Sequence, residues 1–311
     1  MTRRWARVSL SVAAALLAVC APSAVAASPK AAPGREAGGS RAFPVTVTSG
    51  DGTVRIPSRP TRILCLSASA TQMLYAIGAG EQVVGVDKYS TYPADAPRTN
   101  FTGAETSAEA YLPLKPDLVI VAYESGRVVQ QLRLLKIPVL VLPPATTFAD
   151  VDSQLAELGK ATGHAAGAQS AKSALRHDLS SAERTVGEAA RGETYYLELD
   201  TTYYTATSKT FIGAEFSLFG MANIADAAGR TTTYPQISAE YVLKENPDYV
   251  FLADTVCCHQ DPRLFGHRPG FSALAAVRHH HVVAVDDSVA SQWGPHTIET
   301  FVSLLARTLR R

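Results

Sequence analysis

The chain has 311 residues, which at roughly 100–200 residues per domain accommodates two domains or lobes. Hydrophobic residues make up 46% and charged residues 18%, a balance that excludes a largely disordered chain. Lys and Arg number 29 against 28 Asp and Glu, which excludes the strongly basic surface of a nucleic-acid-coating protein, and four Cys are too few for a disulfide-built scaffold.

The N-terminus reads as a signal peptide over residues 1–26. Arg3, Arg4 and Arg7 precede an apolar core at residues 8–19, too short for a comfortable membrane span, and Ala24-Val25-Ala26 offers small residues at a cleavage site. A rival reading takes Leu17-Ala18-Val19-Cys20 as a lipoprotein box, with a lipid on Cys20, although Val19 is larger than that box prefers. Export to a periplasmic or cell-surface location is expected either way. Removing residues 1–26 takes away three Arg and no acid, leaving a net charge of −2. Residues 27–43, rich in Ala, Gly, Pro and Ser, read as a flexible tether.

A first lobe is expected over residues 44–147. Residues 62–66 read as a strand, 69–77 as a helix and 83–86 as a second strand. The apolar run at 118–122 suits a strand buried on both faces of a parallel sheet. A helix at 126–135 then feeds a strand at 138–142. Residues 148–192 form the connection: Val151, Leu155 and Leu158 mark one helix, Gly163 interrupts it, and Leu175, Leu179, Ala182 and Val186 mark a longer one. A second lobe, 193–311, repeats the alternation, with strands at 194–199, 249–253 and 281–285 and helices at 213–219 and 297–309. This order predicts an α/β protein with two mostly parallel sheets.

An internal duplication supports two lobes. Residues 107–122 and 238–253 match at eight of sixteen positions at a constant offset of 131, through Ser-Ala-Glu, a Leu, Pro-Asp, a Val and an Ala. Gly78 precedes Tyr92-Pro93 by the same distance as Gly220 precedes Tyr234-Pro235. In each copy the Ser reads as a helix N-cap, the Glu favours the positive helix terminus, and the Pro ends the helix before a strand.

Tyr89, Tyr123, Tyr203-Tyr204, Tyr234 and Trp293 lie in loops after or near strands, where aromatic faces and hydroxyl groups suit a broad, partly apolar ligand. Lys88, Lys209 and Arg230 read as solvated surface charges. Cys257, Cys258, His259 and His267 form a loose Cys/His cluster whose spacing matches no standard zinc pattern, and the run His279-His280-His281 reads as a solvated turn. The states of Cys65, Cys257 and Cys258 stay open: free thiols, an adjacent bridge, or a bridge to Cys65. Gly-x-Ser-x-Gly, a phosphate loop and His-Glu-x-x-His are all missing from the sequence, so no catalytic residues and no protein-built metal site are expected.

Several separated phrases resemble the substrate-binding proteins of bacterial ABC importers for iron–siderophore, haem and cobalamin ligands. They are residues 62–71 as first strand and helix, 85–93 as second strand and loop, Leu114-Lys115-Pro116-Asp117-Leu118-Val119-Ile120, Tyr234-Pro235-Gln236-Ile237-Ser238, Ala276-Val277-Arg278, and Val282 to Asp286. The resemblance implies two Rossmann-like lobes joined by a long helix, with ligand in the cleft between them. It implies permease docking through Glu109 and Glu240, one per lobe, and ligand contacts from Tyr89, Tyr123, Tyr204 and Tyr234, with Trp293 nearby in the last loop. It also marks departures: Ser291-Gln292-Trp293-Gly294-Pro295-His296 stands where many siderophore binders place Arg, and Gly103 stands where the cobalamin binder has Trp. The expected function is delivery of a metal chelate to an ABC importer by a monomer without a resident cofactor. Ferric siderophore is the first choice, and a corrinoid or haem the next. The alternatives are an exported metalloenzyme using the Cys/His cluster, and a ligand sensor without a permease.

Overall fold

The computed structural model describes residues 43–105, 107–123 and 126–310. The expected leader at 1–26, the tether up to residue 42 and Cys20 lie outside them. In chain order the elements are β1 (Val45–Ser49), β2 (Gly52–Ile56), β3 (Ile63–Leu66), α1 (Ala68–Ala76), β4 (Val83–Val86), β5 (Leu118–Val121), α2 (Gly126–Leu134) and β6 (Val139–Val141). There follow α3 (Phe148–Thr162), α4 (Ala165–Val186), β7 (Thr194–Glu198), α5 (Phe211–Ser217), β8 (Ala222–Asn223) and α6 (Ala239–Glu245). The chain ends with β9 (Tyr249–Leu252), α7 (Pro262–Gly266), α8 (Ala275–Arg278), β10 (Val282–Ala284) and α9 (Pro295–Leu309).

Two parallel four-stranded sheets result. Their orders are β4-β3-β5-β6 and β10-β9-β7-β8. Read from the second strand outward, both are second-first-third-fourth, so the duplication extends to topology. β3, β5 and β9 are buried along their whole length, as expected for strands covered on both faces. The β1–β2 hairpin was not foreseen. Its alternation buries Val47, Val54 and Ile56 while Thr46, Thr48 and Arg55 face solvent, and the Gly50 N–H donates to Val141 O at 2.8 Å to fasten it beside β6.

The interruption at Gly163 is a helix end: this residue caps α3 at φ +78°, where a side chain would be strained. Thr147 and Asp150 close a reciprocal capping box at the start of α3. The apolar faces of α3 and α4 bury Val151, Leu155, Leu158, Leu175, Leu179 and Val186, as their spacing predicts. They join one core that runs from Ile63 and Cys65 in the first sheet to Leu197 and Phe251 in the second, with Phe301 and Leu305 of α9 included. Separate clusters cover the outer face of each sheet. The two lobes therefore share a core as well as a connecting helix.

Candidate ligand cleft

In a sheet ordered second-first-third-fourth, the crevice beyond the carboxyl ends of the first and third strands is where ligands bind. A cavity of about 720 Å³ opens at that place in the first lobe. Leu66 to Ser69 line it from the end of β3, and Val121 to Tyr123 from the end of β5. The loop after β4 adds Asp87, Lys88 and Tyr89, while the second lobe adds Val256 and residues of the last loop from Asp286 to Trp293. A smaller cavity of about 260 Å³ continues it, sharing Tyr123, Gln292 and Trp293 and adding Tyr234 and Phe211.

Buried Asp87 builds the β4 loop. Its Oδ1 accepts from the N–H groups of Tyr89 and Ser90 and from Ser90 Oγ, at 3.1, 2.8 and 2.8 Å. Burial pushes its carboxyl above the usual range, and the Ser90 hydrogen bonds oppose that shift. The loop presents Tyr89, 54% exposed, with the Lys88 ammonium 4.9 Å from its ring centroid. Tyr123 is 66% exposed and Tyr234 46%. Both line the smaller cavity, and burial, then the neighbouring Tyr123, raise the Tyr234 hydroxyl above its ordinary value. Tyr204 is exposed but lines neither cavity; its backbone bridges to Gln236.

Trp293 takes a different part. It is buried at the cleft floor, its backbone N–H donating to Ser69 Oγ at 3.0 Å and its indole N–H to Gln154 Oε1 at 2.9 Å. Next to it Gln72 donates to Gln292 Oε1 at 2.8 Å and to Thr297 Oγ1 at 2.9 Å. The loop that ends the second lobe is thus fastened to α1 and α3 by buried side chains.

Cleft polar groups missed by the sequence reading are Ser67, Ser69, Asp87, Asp286, Asp287 and Gln292. Several directly follow strand ends, which was the available signal. Asp287 organises the opposite rim: it accepts from Val256 N–H at 2.9 Å and Cys257 N–H at 2.7 Å. Burial works upward on this carboxyl, but those backbone donors hold it below the usual range.

Glu109 and Glu240 are exposed and lie outside both cavities. Each follows a capping Ser: Ser107 Oγ accepts from Glu109 N–H, and Ser238 Oγ accepts from Tyr241 N–H, both at 3.2 Å. Lys209 and Arg230 are exposed and also outside the cavities. Cys65, Cys257 and Cys258 are all free thiols. Among the described residues no group of three or more His, Cys, Asp or Glu stands close enough to hold a metal ion. His267 turns its Nδ1 to Arg263 O, and His281 stacks on Tyr249 at 4.4 Å.

Residues 63–289, which include both sheets and most of the cleft, match the periplasmic binding protein family. The chain belongs to that family. A Bacillus subtilis member, the uncharacterized ABC transporter substrate-binding lipoprotein YvrC, is 30% identical over 95% of this chain and 93% of its own length. A cobalamin-binding protein of Halobacterium salinarum is 32% identical over 78% of this chain and 67% of its own. The crystal structure of the periplasmic vitamin B12 binding protein BtuF of Vibrio cholerae superposes with a TM-score of 0.64 at 25% identity, covering 80% of this chain and 96% of that one. As in other periplasmic binding proteins, two α/β lobes face each other here across the candidate cleft.

Proposed function

We propose that this chain is the exported cargo-binding component of an ABC importer and that its cargo is a broad, nearly uncharged metal chelate, with a corrinoid first. It binds and releases this cargo without making or breaking bonds in it. The observation that carries the choice is the charge of the cleft. Among the described residues that line it, Lys88 is the one cationic side chain, against Asp87, Asp286 and Asp287, and Tyr89, Tyr123 and Tyr234 offer aromatic faces with hydroxyl groups. A ferric catecholate, with several negative charges, meets like charge there, and the two carboxylates of haem meet a single ammonium. A corrinoid edged with amides finds aromatic surface and hydrogen-bonding Ser, Gln and Asp side chains. The names of the two cobalamin-binding relatives agree with that order, which moves the ferric siderophore from first place to second, in its neutral hydroxamate form.

Calorimetric titration of cyanocobalamin, a ferric hydroxamate, a ferric catecholate and haem tests this. Cyanocobalamin is expected to saturate one site below micromolar concentration, which corresponds to about −8 kcal/mol or stronger. Saturation by the catecholate alone overturns the cargo. Docking to the permease is assigned to Glu109 and Glu240, one exposed carboxylate per lobe, which suits a two-fold partner. Reversing both charges is expected to abolish delivery while leaving cargo affinity unchanged.

A further inference from the structure

The segment between β9 and α7 forms one rim of the cleft and carries adjacent cysteines. Val256, which lines the cavity, immediately precedes Cys257. The Asp287 carboxylate shapes the segment from one side, holding Val256 N–H, Cys257 N–H and Thr255 Oγ1 at 2.9, 2.7 and 3.2 Å. From the other side Asp254 O accepts from Cys258 N–H and Gln260 N–H at 3.2 and 3.3 Å. These bonds engage the backbone and the Thr255 hydroxyl, and the same Asp287 carboxylate also meets the Cys257 thiol. Cys257 is exposed and Cys258 partly so, and the two thiols are neighbours along the chain. Cys65 is wholly buried in the first sheet.

We propose that Cys257 and Cys258 are a reversible redox-modification site that alters the rim of the ligand cleft. The oxidant is a small-molecule disulfide. The Cys257 sulfur, as thiolate, attacks it, forming a mixed disulfide and expelling one thiolate. The Cys258 thiolate then attacks the Cys257 sulfur and expels the second. The two protons lost by the protein end on the two released thiols, so two protein thiols and one disulfide become one protein disulfide and two small thiols.

Neighbouring Cα atoms are about 3.8 Å apart across a trans peptide, below the usual disulfide span of about 4.4–6.8 Å. Closure therefore rearranges the 257–258 backbone and loosens its bonds to Asp287, which is what moves Val256. The same mismatch makes the bridge easy to reduce, the property of a labile rather than a structural disulfide. Partial burial, the Cys258 thiol and the Asp287 carboxylate push the Cys257 thiol up to about 12, so closure is slow near neutrality and accelerates as pH rises. The proposed exported role supplies the oxidising setting; the chemistry itself can be tested on the purified chain.

The reduced chain is exposed to oxidised glutathione and followed by intact mass and peptide mapping. The expected product has lost two hydrogens at a Cys257–Cys258 bridge, is restored by dithiothreitol, and keeps Cys65 as a thiol. Cys258→Ser is expected to trap a glutathione adduct on Cys257. A stable adduct on the unmutated chain, with no bridge, overturns the assignment. Hydrogen exchange reads the rim without any cargo: the amides of Val256 and Cys257 are expected to exchange about tenfold faster or more after oxidation. A bridge that leaves their exchange unchanged overturns the link to the cleft. Cyanocobalamin titration of both forms separates the two proposals, since a chain that binds no corrinoid in either form defeats the cargo and leaves the bridge and exchange measurements to decide this site.

Discussion

The two lobes differ most where their sheets are most alike. The offset of 131 that relates the halves pairs Ser67 with Glu198 at the end of the first strand, and Tyr123 with Asp254 beyond the end of the third. In the first lobe this crevice is open: Ser67 and Tyr123 line the cavity. In the second it is filled. Buried Glu198 receives Arg268 through two hydrogen bonds of 2.7 and 2.6 Å, Tyr196 donates to the same carboxylate at 3.2 Å, and Asp254 is buried beside it. Topology supplies a crevice in both lobes, and the side chains decide which one stays open. Chemistry in the cleft thus comes from one lobe's crevice and the other lobe's loops.

Breaking the filled crevice carries the largest expected effect. Arg268→Ala leaves Glu198 buried without its partner and is expected to cost about 3–5 kcal/mol in denaturant unfolding. Ser67→Ala, at the paired position, removes only the oxygen that accepts Ala70 N–H at the start of α1, and about 1 kcal/mol is expected. Equal losses would mean that the two crevices are held alike.

The second effect concerns pH. Burial, followed by the charge of Glu198, pushes the Asp254 carboxyl up to about 7. The folded chain then keeps a proton that an unfolded Asp releases near about 3.9. This contribution is fully present below pH about 4 and is lost as pH rises through about 7, a change of roughly 2–4 kcal/mol. Asp254→Asn is expected to flatten that slope, as measured by unfolding midpoints across this window.

The open crevice should respond in binding instead. Tyr123→Ala and Tyr234→Ala are each expected to weaken cyanocobalamin by about tenfold, near 1.4 kcal/mol, with thermal stability nearly unchanged because both side chains are exposed. A smaller effect sharpens the likeness of the halves. Lys115 and Asn246 are paired by the offset, and both end their helices in the left-handed region at φ +46°. Asn tolerates this conformation and Lys does so less well. Lys115→Gly is expected to stabilise the chain by up to about 1 kcal/mol, raising its melting temperature slightly.

What could be read from the sequence was local. Continuous apolar runs gave β5 and β9, helical spacing gave the buried faces of α3 and α4, and Gly163 gave the break between them. The duplicated Pro-Asp has a local physical cause as well: Asp117 accepts from Thr61 and Arg62 N–H groups, and Asp248 from Thr194, tying the starts of paired strands together. The β1–β2 hairpin escaped because its strands are short and half exposed. Interactions distant in sequence escaped too. Glu198 meets Arg268, and Trp293 meets Ser69 and Gln154, across separations that no periodicity reveals. Tyr89, Tyr123 and Tyr234 fall on the cleft walls because loops after parallel strands converge there, whereas Tyr204 has the same kind of position and points elsewhere.

The fastening of the last loop to the first lobe through Trp293, Gln72 and Gln154 has a consequence for transport. A receptor whose halves are already clamped undergoes little reshaping on capture, so little binding energy is diverted into ordering the protein. In the proposed importer role, the empty and the filled chain are then expected to present nearly the same outline to a permease. Discrimination between them must come from the cargo exposed at the cleft mouth, or from the work the transporter itself performs in prying the walls apart.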